Sequence, residues 1–288
     1  MNGAIIGDII GSPYEFIPHK TKVFPLFSSQ SAFTDDTVMT VAVASALIGC
    51  GRFTPDGLIK KRLVHEMRWW GRRYPDAGYG ELFYKWLWAK KPKPYNSLGN
   101  GSAMRVSSVA WLFPKSLERC QHIARLTAEV THNHPEGIKG AEAVASAEWL
   151  ALHGYDKKEI RDYLEETYSY ALDRKIDDIR PSYRHIETCP DSVPEAILCF
   201  LESVSYESAV RNAVSLGGDA DTQAAIAGGI AECFYGVPDI IKVKAMPYIP
   251  KDMTLVLDTF NKQVESGKAG VSKKNPPAAG QRLNERKL

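Results

Sequence analysis

Nothing in this chain of 288 residues alternates in the period-2 manner of a half-buried strand, which argues against a sheet-based fold. No run approaches the roughly 20 apolar residues of a membrane-spanning helix. Met1-Asn2-Gly3 leads into an Ile/Gly stretch with neither a positively charged segment nor a long apolar one, so no secretory leader is expected. The five cysteines, Cys50, Cys120, Cys189, Cys199 and Cys233, are odd in number and form no Cys-x-x-Cys pair. Four lie in or beside apolar helical runs and read as buried free thiols of a reducing compartment. The expectation is a soluble, cytoplasmic protein. Charge of one sign is scarce as well: the formal net charge is +2. Between Lys262 and Leu288 seven Lys/Arg stand against Glu265 and Glu285, a local +5, so the remainder carries −3. A body of that balance is not composed as a general nucleic-acid binder, and no specific nucleic-acid partner is expected.

What is present is helical periodicity. Hydrophobic residues make up 44% of the chain, enough for a substantial core, and the 3.6 pattern recurs throughout with Ala and Gly on many contact faces. The fold class predicted is all-α, a single compact orthogonal bundle over residues 1–265 followed by a disordered basic tail at 266–288. Gly3, Gly7 and Gly11 recur every four residues on one face of the first helix, where a neighbouring helix could pack closely. Residues 16–33, with Pro18, Pro25 and a serine-rich run, read as a loop. Between Trp69 and Tyr95 lie four of the six tryptophans, interleaved with Pro75, Gly78, Gly80, Pro92 and Pro94. Such rings belong to a core or, where they fall on loops, to a surface on which a base could stack.

Two oxygen-rich stretches carry the chemistry. Gly217-Gly218-Asp219-Ala220-Asp221-Thr222 precedes an Ala/Gly-rich helix, and Thr34-Asp35-Asp36-Thr37 heads another apolar helix. Each alone reads as a helix cap. Brought together, with Glu15 nearby, they would converge four aspartates with no basic residue written into either motif. That charge would be intolerable without cations. Hard oxygen donors suit paired magnesium or manganese ions, whereas zinc would recruit His or Cys. The Gly99-Asn100-Gly101-Ser102-Ala103-Met104-Arg105 loop entering the apolar stretch 106–113 offers backbone N–H groups for an anion. His132-Asn133-His134 lacks further ligands at zinc spacing and reads as cleft lining or as structural histidine.

Gly7-Asp8-Ile9-Ile10-Gly11 with Tyr14-Glu15, then Thr34-Asp35-Asp36-Thr37, Gly99 to Arg105, Thr131-His132 and Gly217 to Thr222 together resemble the ADP-ribosylglycohydrolases, in that family's order and over most of the chain. The resemblance implies a compact all-α fold with a binuclear magnesium or manganese centre at the base of a cleft. It implies that Thr34, Asp35, Asp36, Asp219, Asp221 and Thr222 hold metal and that Glu15 assists the reaction. It also implies that Gly99, Asn100, Gly101, Ser102, Met104 and His132 meet the substrate. The expected activity is cleavage of the bond joining ADP-ribose to a protein side chain, arginine or serine, or to a small conjugate. A metal-bound water would attack the anomeric carbon of the distal ribose, with Asp36 or Glu15 positioning it or taking its proton. A monomer acting on ADP-ribosylated protein is expected. The alternatives are a binuclear-metal phosphoesterase acting on nucleotides and a non-catalytic ADP-ribose-binding or structural member of the family.

Overall fold

A computed structural model describes residues 1–268, and the greater part of the expected basic tail lies outside the described residues. Fourteen α-helices follow one another among the described residues. They are α1 (Asn2–Gly11), α2 (Asp35–Leu47), α3 (Asp56–Arg73), α4 (Glu81–Trp88) and α5 (Val109–Leu112). Next come α6 (Leu117–Glu129), α7 (Pro135–Leu152), α8 (Lys157–Tyr168), α9 (Ile176–Ile179) and α10 (Cys189–Leu201). The chain ends with α11 (Tyr206–Ser215), α12 (Ala220–Tyr235), α13 (Asp239–Ala245) and α14 (Lys251–Lys268). The one β pairing among these residues is an isolated bridge between Gly99 and Thr188.

The centre of the molecule is α12. Its residues from Ala220 to Ala231 are all buried, as expected of a helix surrounded by others rather than laid on a surface. The helices α1, α7, α10 and α11 pack around it. The α1 contact uses the glycine stripe: a Cβ on Gly3, Gly7 or Gly11 would run into α12 at Glu232, Ala224 and Asp221 in turn. The missing side chains let the two backbones touch, so the N-terminal helix lies along the helix that begins with the second aspartate cluster. Glu232 locks the far end by accepting from the Gly3 amide at 2.7 Å.

Three details differ from the sequence expectation. Residues 81–88, which the sequence shows only as an aromatic stretch among glycines and prolines, form α4, which buries Phe83, Trp86 and Leu87 and packs against α3. Eight residues are too few for a helical period to stand out between Gly80 and Ala89. The apolar stretch after Arg105 is not a helix from its start; it is turns followed by the four-residue α5. Ser192-Val193-Pro194-Glu195 reads as a helix start with proline in its first turn, but α10 begins at Cys189, with Pro190 in its first turn and Pro194 inside. Among the described residues no helix is long and apolar enough to cross a membrane.

Candidate active site

The site is assembled on Asp8. This residue of α1 is fully buried, and its carboxylate accepts the Thr34 amide at 3.0 Å, the Thr34 hydroxyl at 2.9 Å, the Thr37 amide at 3.0 Å and the Thr37 hydroxyl. Burial pushes its carboxyl up to about 6 against these four donors. All its acceptor capacity is spent on the start of α2, so Asp8 fixes where the first cluster points. Thr34 caps α2 by accepting the Asp36 amide at 3.3 Å.

The two clusters meet. Thr222 in the first turn of α12 donates its hydroxyl to Asp36 Oδ2 at 3.0 Å, across 186 residues of chain. Glu15, Asp219 and Asp221 each offer a carboxylate oxygen, all within 4.8 Å of one another. Asp219 precedes α12 yet makes no capping bond; its Oδ2 instead accepts the Asn100 side-chain amide at 2.7 Å. The capping reading therefore holds for Thr34 and fails for Asp219.

Electrostatics explain what this arrangement lacks. Asp35, Asp36 and Asp221 are held well above the usual carboxylate range, first by desolvation and then by the charge of neighbouring carboxylates, Asp221 beside Asp35 and Asp36 and Asp219 beside Asp221. Asp219 is pushed to about 6 and half-buried Glu15 to about 8, each chiefly by burial. Asp36 Oδ1 and Asp221 Oδ1 are buried with no hydrogen-bond partner. Buried lone pairs with neither donor nor counter-charge are costly, and a hard cation supplies both. The donor set, carboxylate and hydroxyl oxygens without thiolate or imidazole, suits magnesium or manganese. The N-termini of α2 and α12 both face the cluster and offset part of its charge.

The 99–105 loop forms the next wall. Its amides are largely engaged within the protein: Gly99 N donates to Ser97 Oγ, Asn100 N to Glu187 O, and Ala103 N and Met104 N to Asn100 O. Asn100 is buried and spends its side-chain amide on Asp219 and Ser192. Ser102 is engaged within the protein, its buried hydroxyl donating to Gly137 O at 2.7 Å. Met104 places its sulfur 4.0 Å from the Thr222 hydroxyl. His132 lies beneath the loop, where a Cβ on Gly101 would sit 3.3 Å from its Nε2. Burial and the Arg105 guanidinium hold its pKa well below the usual value, so the ring is neutral. Arg105 donates to Thr131 Oγ1, and that hydroxyl lies 2.8 Å from His132 Nδ1. This contact engages Nδ1 and leaves Nε2 as the nitrogen that faces the loop. His134 is spent on capping α7 through the Glu136 amide.

The rim and the aromatics complete the picture. Glu15 is followed by exposed Phe16, which stacks on His185 at 5.8 Å, and His185 Nε2 lies 2.9 Å from Glu187 Oε1. Trp70, Phe83 and Trp86 are core, whereas Tyr95 lies beside His132 at 5.5 Å between ring centroids. Sequence reasoning gave Asp8 and His185 no role. Asp8 was visible only as part of the first glycine-rich motif, and nothing local marks His185.

Comparison with known proteins gives a consistent result. A family model described as ADP-ribosylglycohydrolase matches residues 1–254. Mouse ADP-ribosylhydrolase ARH3 is 28% identical, the match covering 83% of each chain. The ADP-ribosylarginine hydrolase Tri1 of Pseudomonas putida is 26% identical over 82% of this chain and 69% of that protein. A solved structure described as an ADP-ribosylglycohydrolase-related protein complex superposes with a TM-score of 0.64 at 20% identity, covering 94% of this chain and 96% of that one.

Proposed function

The chain belongs to the ADP-ribosylglycohydrolase family, and from that premise we propose that it is a metal-dependent hydrolase releasing ADP-ribose from a modified protein side chain, arginine or serine, or from a small conjugate. Glycosyl-bond hydrolysis is the activity carried in the names of its relatives. The observation that carries the metal-dependent reading is the convergence of Thr34, Asp35 and Asp36 with Asp219, Asp221 and Thr222, leaving Asp36 Oδ1 and Asp221 Oδ1 unsatisfied.

Those six residues would hold two divalent cations, magnesium or manganese. Bound there, the cations supply Lewis-acid polarisation of a water and a template for the ribose diol. Glu15 is the group we assign to moving the proton. It is half-buried at the edge of the cluster, its pKa is raised towards neutrality, and it reaches solvent, whereas Asp36 is 2% exposed. Asp36 and its neighbours present negative charge where the anomeric carbon becomes positive. Neutral His132 presents Nε2 to a polar group of the substrate without adding charge. Asn100 turns Asp219 towards the cluster.

The test is release of free ADP-ribose from arginine- and serine-ADP-ribosylated peptides with magnesium, manganese or EDTA, alongside Asp219→Ala and Asp36→Asn. Metal-dependent release from one peptide, abolished in both variants, establishes the activity and its linkage. Absence of release from either peptide, with ADP-ribose still raising the melting temperature, overturns the hydrolytic reading in favour of a binding module.

A further inference from the structure

The net charge of the body conceals a local excess on α3. Ile59, Leu63, Met67 and Trp70 face the core, while Lys61, His65, Arg68, Trp69 and Arg72 follow the opposite stripe. The long side chains of that stripe wall a groove of about 780 Å³, and no residue of the acidic cluster lines it. A second concavity of about 480 Å³ lies against Tyr84, Lys85 and Trp88 of α4. The two adjoin, because Arg68 and Arg72 both donate to Leu87 O at the end of α4 and Arg68 also reaches Ala89 O. Beyond Ala89 the chain carries exposed Lys90, Lys91 and Lys93.

Most of the cations on this surface are uncompensated. Arg73 pairs with Asp252 and Lys85 with Glu81, but among the described residues Lys61, Arg68, Arg72, Lys90, Lys91 and Lys93 form no ion pair. The carbonyls that Arg68 and Arg72 hold are neutral, so their charge persists. Two large rings lie among these cations: Trp69 is 47% exposed and Trp88 51% exposed. Arg73 sits over Trp69 at 5.4 Å and Arg72 over Trp88 at 5.2 Å. A lipid surface fits poorly, because either ring could enter an acyl layer only by taking its guanidinium along. An acidic peptide would satisfy the charges and leave the rings unused. Phosphates spaced by flat bases use both: the backbone follows the cations and bases stack on Trp or Arg faces.

We infer that the α3–α4 face binds single-stranded nucleic acid, phosphates lying along Lys61, Arg68, Arg72 and the lysines after Ala89, bases stacking on Trp69 and Trp88. This does not depend on the hydrolytic reading, since none of these residues belongs to the acidic cluster.

The experiment is fluorescence anisotropy of a fluorescein-labelled dT12 oligonucleotide with the full chain at 50 and 200 mM salt. Lys61→Glu/Trp69→Ala and, separately, Lys90→Glu/Lys91→Glu serve as variants. Poly-L-glutamate of equal charge and phosphatidylserine vesicles compete. The basic residues beyond Lys268 are common to every protein, so differences report the face alone. Arg68 and Arg72 are left intact because they hold the end of α4. The expected result is binding that weakens with salt and falls about tenfold or more in each variant, consistent with losing one stacked base or two phosphate contacts. Tryptophan fluorescence should quench on binding in the wild type and less in the Trp69 variant. ADP-ribose release should be unchanged in both. Equal affinity in wild type and variants overturns the inference. So does competition by poly-L-glutamate matching that of unlabelled dT12, or capture by vesicles without oligonucleotide binding.

Discussion

Replacing Gly7 by Ala puts a methyl group in place of a hydrogen where α1 and α12 touch backbone to backbone. An ideal Cβ there would lie 2.6 Å from the Ala224 carbonyl carbon and 2.9 Å from the Ala225 nitrogen, and closer still to Ala224 O. Non-bonded carbons need roughly 3.5 Å, so α1 and α12 must part by about 1 Å. The obstacle is backbone within a helix, which cannot swing aside as a side chain does. Overpacking ordinarily destabilises by about 1–3 kcal/mol, and this contact belongs at the upper end even after the roughly 0.5–1 kcal/mol that Ala gains over Gly in a helix. For a chain of this size, about 3 kcal/mol corresponds to a melting temperature lower by roughly 6–12 °C. The same change at Gly57, exposed in α3 with nothing within 4 Å of its would-be Cβ, should instead be neutral or stabilising by up to about 1 kcal/mol. Function should follow in the Gly7 variant, because α1 carries Asp8 and α12 carries Asp221 and Thr222. A shift of about 1 Å between them should lower ADP-ribose release on the order of a hundredfold, measured where the variant is still folded. Circular-dichroism melts and product release decide the matter. A Gly7→Ala protein melting within 1–2 °C of wild type would refute the backbone-contact argument.

Three further outcomes are expected. Glu148 is fully buried, both its carboxyl oxygens lack partners, and burial raises its pKa to about 8. The folded state therefore holds a proton that the unfolded chain releases near pH 4.5, so this contribution falls as pH rises from about 4.5 to about 8, by on the order of 5 kcal/mol in all. Glu148→Gln should flatten that dependence and gain stability over wild type at pH 9; identical urea midpoints of the two proteins at pH 6 and 9 would sink the idea. Asn100→Ala removes the donor that orients Asp219 and should lower metal affinity or activity about 10–100-fold, read from a manganese titration of product release; an unchanged titration would deny Asn100 that role. Magnesium or manganese at about 100 times its dissociation constant should stabilise the wild type by about 2.7 kcal/mol and leave Asp219→Ala nearly unshifted; equal shifts in both proteins would place the ion elsewhere.

The fold was readable where one helix face announced its own purpose. Glycines at 3, 7 and 11 predicted a close helix contact, and α12 fills it, its buried Ala/Gly surface being the complement. Its identity as the partner was not readable, since that rests on contacts more than 200 residues apart. The α4 helix was hidden for a different reason. Its eight residues read as an aromatic stretch between glycines and prolines, and only packing against α3 shows that Phe83, Trp86 and Leu87 share one side. The cationic groove was hidden by averaging: a body of net charge −3 can still gather uncompensated Lys and Arg on one helix stripe.

The candidate site poses a sharper problem, because five of its acids are the same residue type and the sequence cannot rank them. Asp8, Asp35, Asp36, Asp219 and Asp221 all sit in glycine- or threonine-flanked motifs. What separates them is how many donors the fold brings to each. Asp8 receives four from Thr34 and Thr37, 26 and 29 residues away, and is thereby consumed as scaffold. Asp219 receives one from Asn100, at a separation of 119. Asp36 receives one from Thr222, at 186, and keeps Oδ1 bare, as Asp221 keeps its own. A buried carboxylate oxygen without a donor raises the free energy of the fold unless something positive approaches it. The capacity to hold a cation is therefore a property of hydrogen bonds that were not made. The motifs locate those oxygens near each other, but only the tertiary count of donors says which of them remain open.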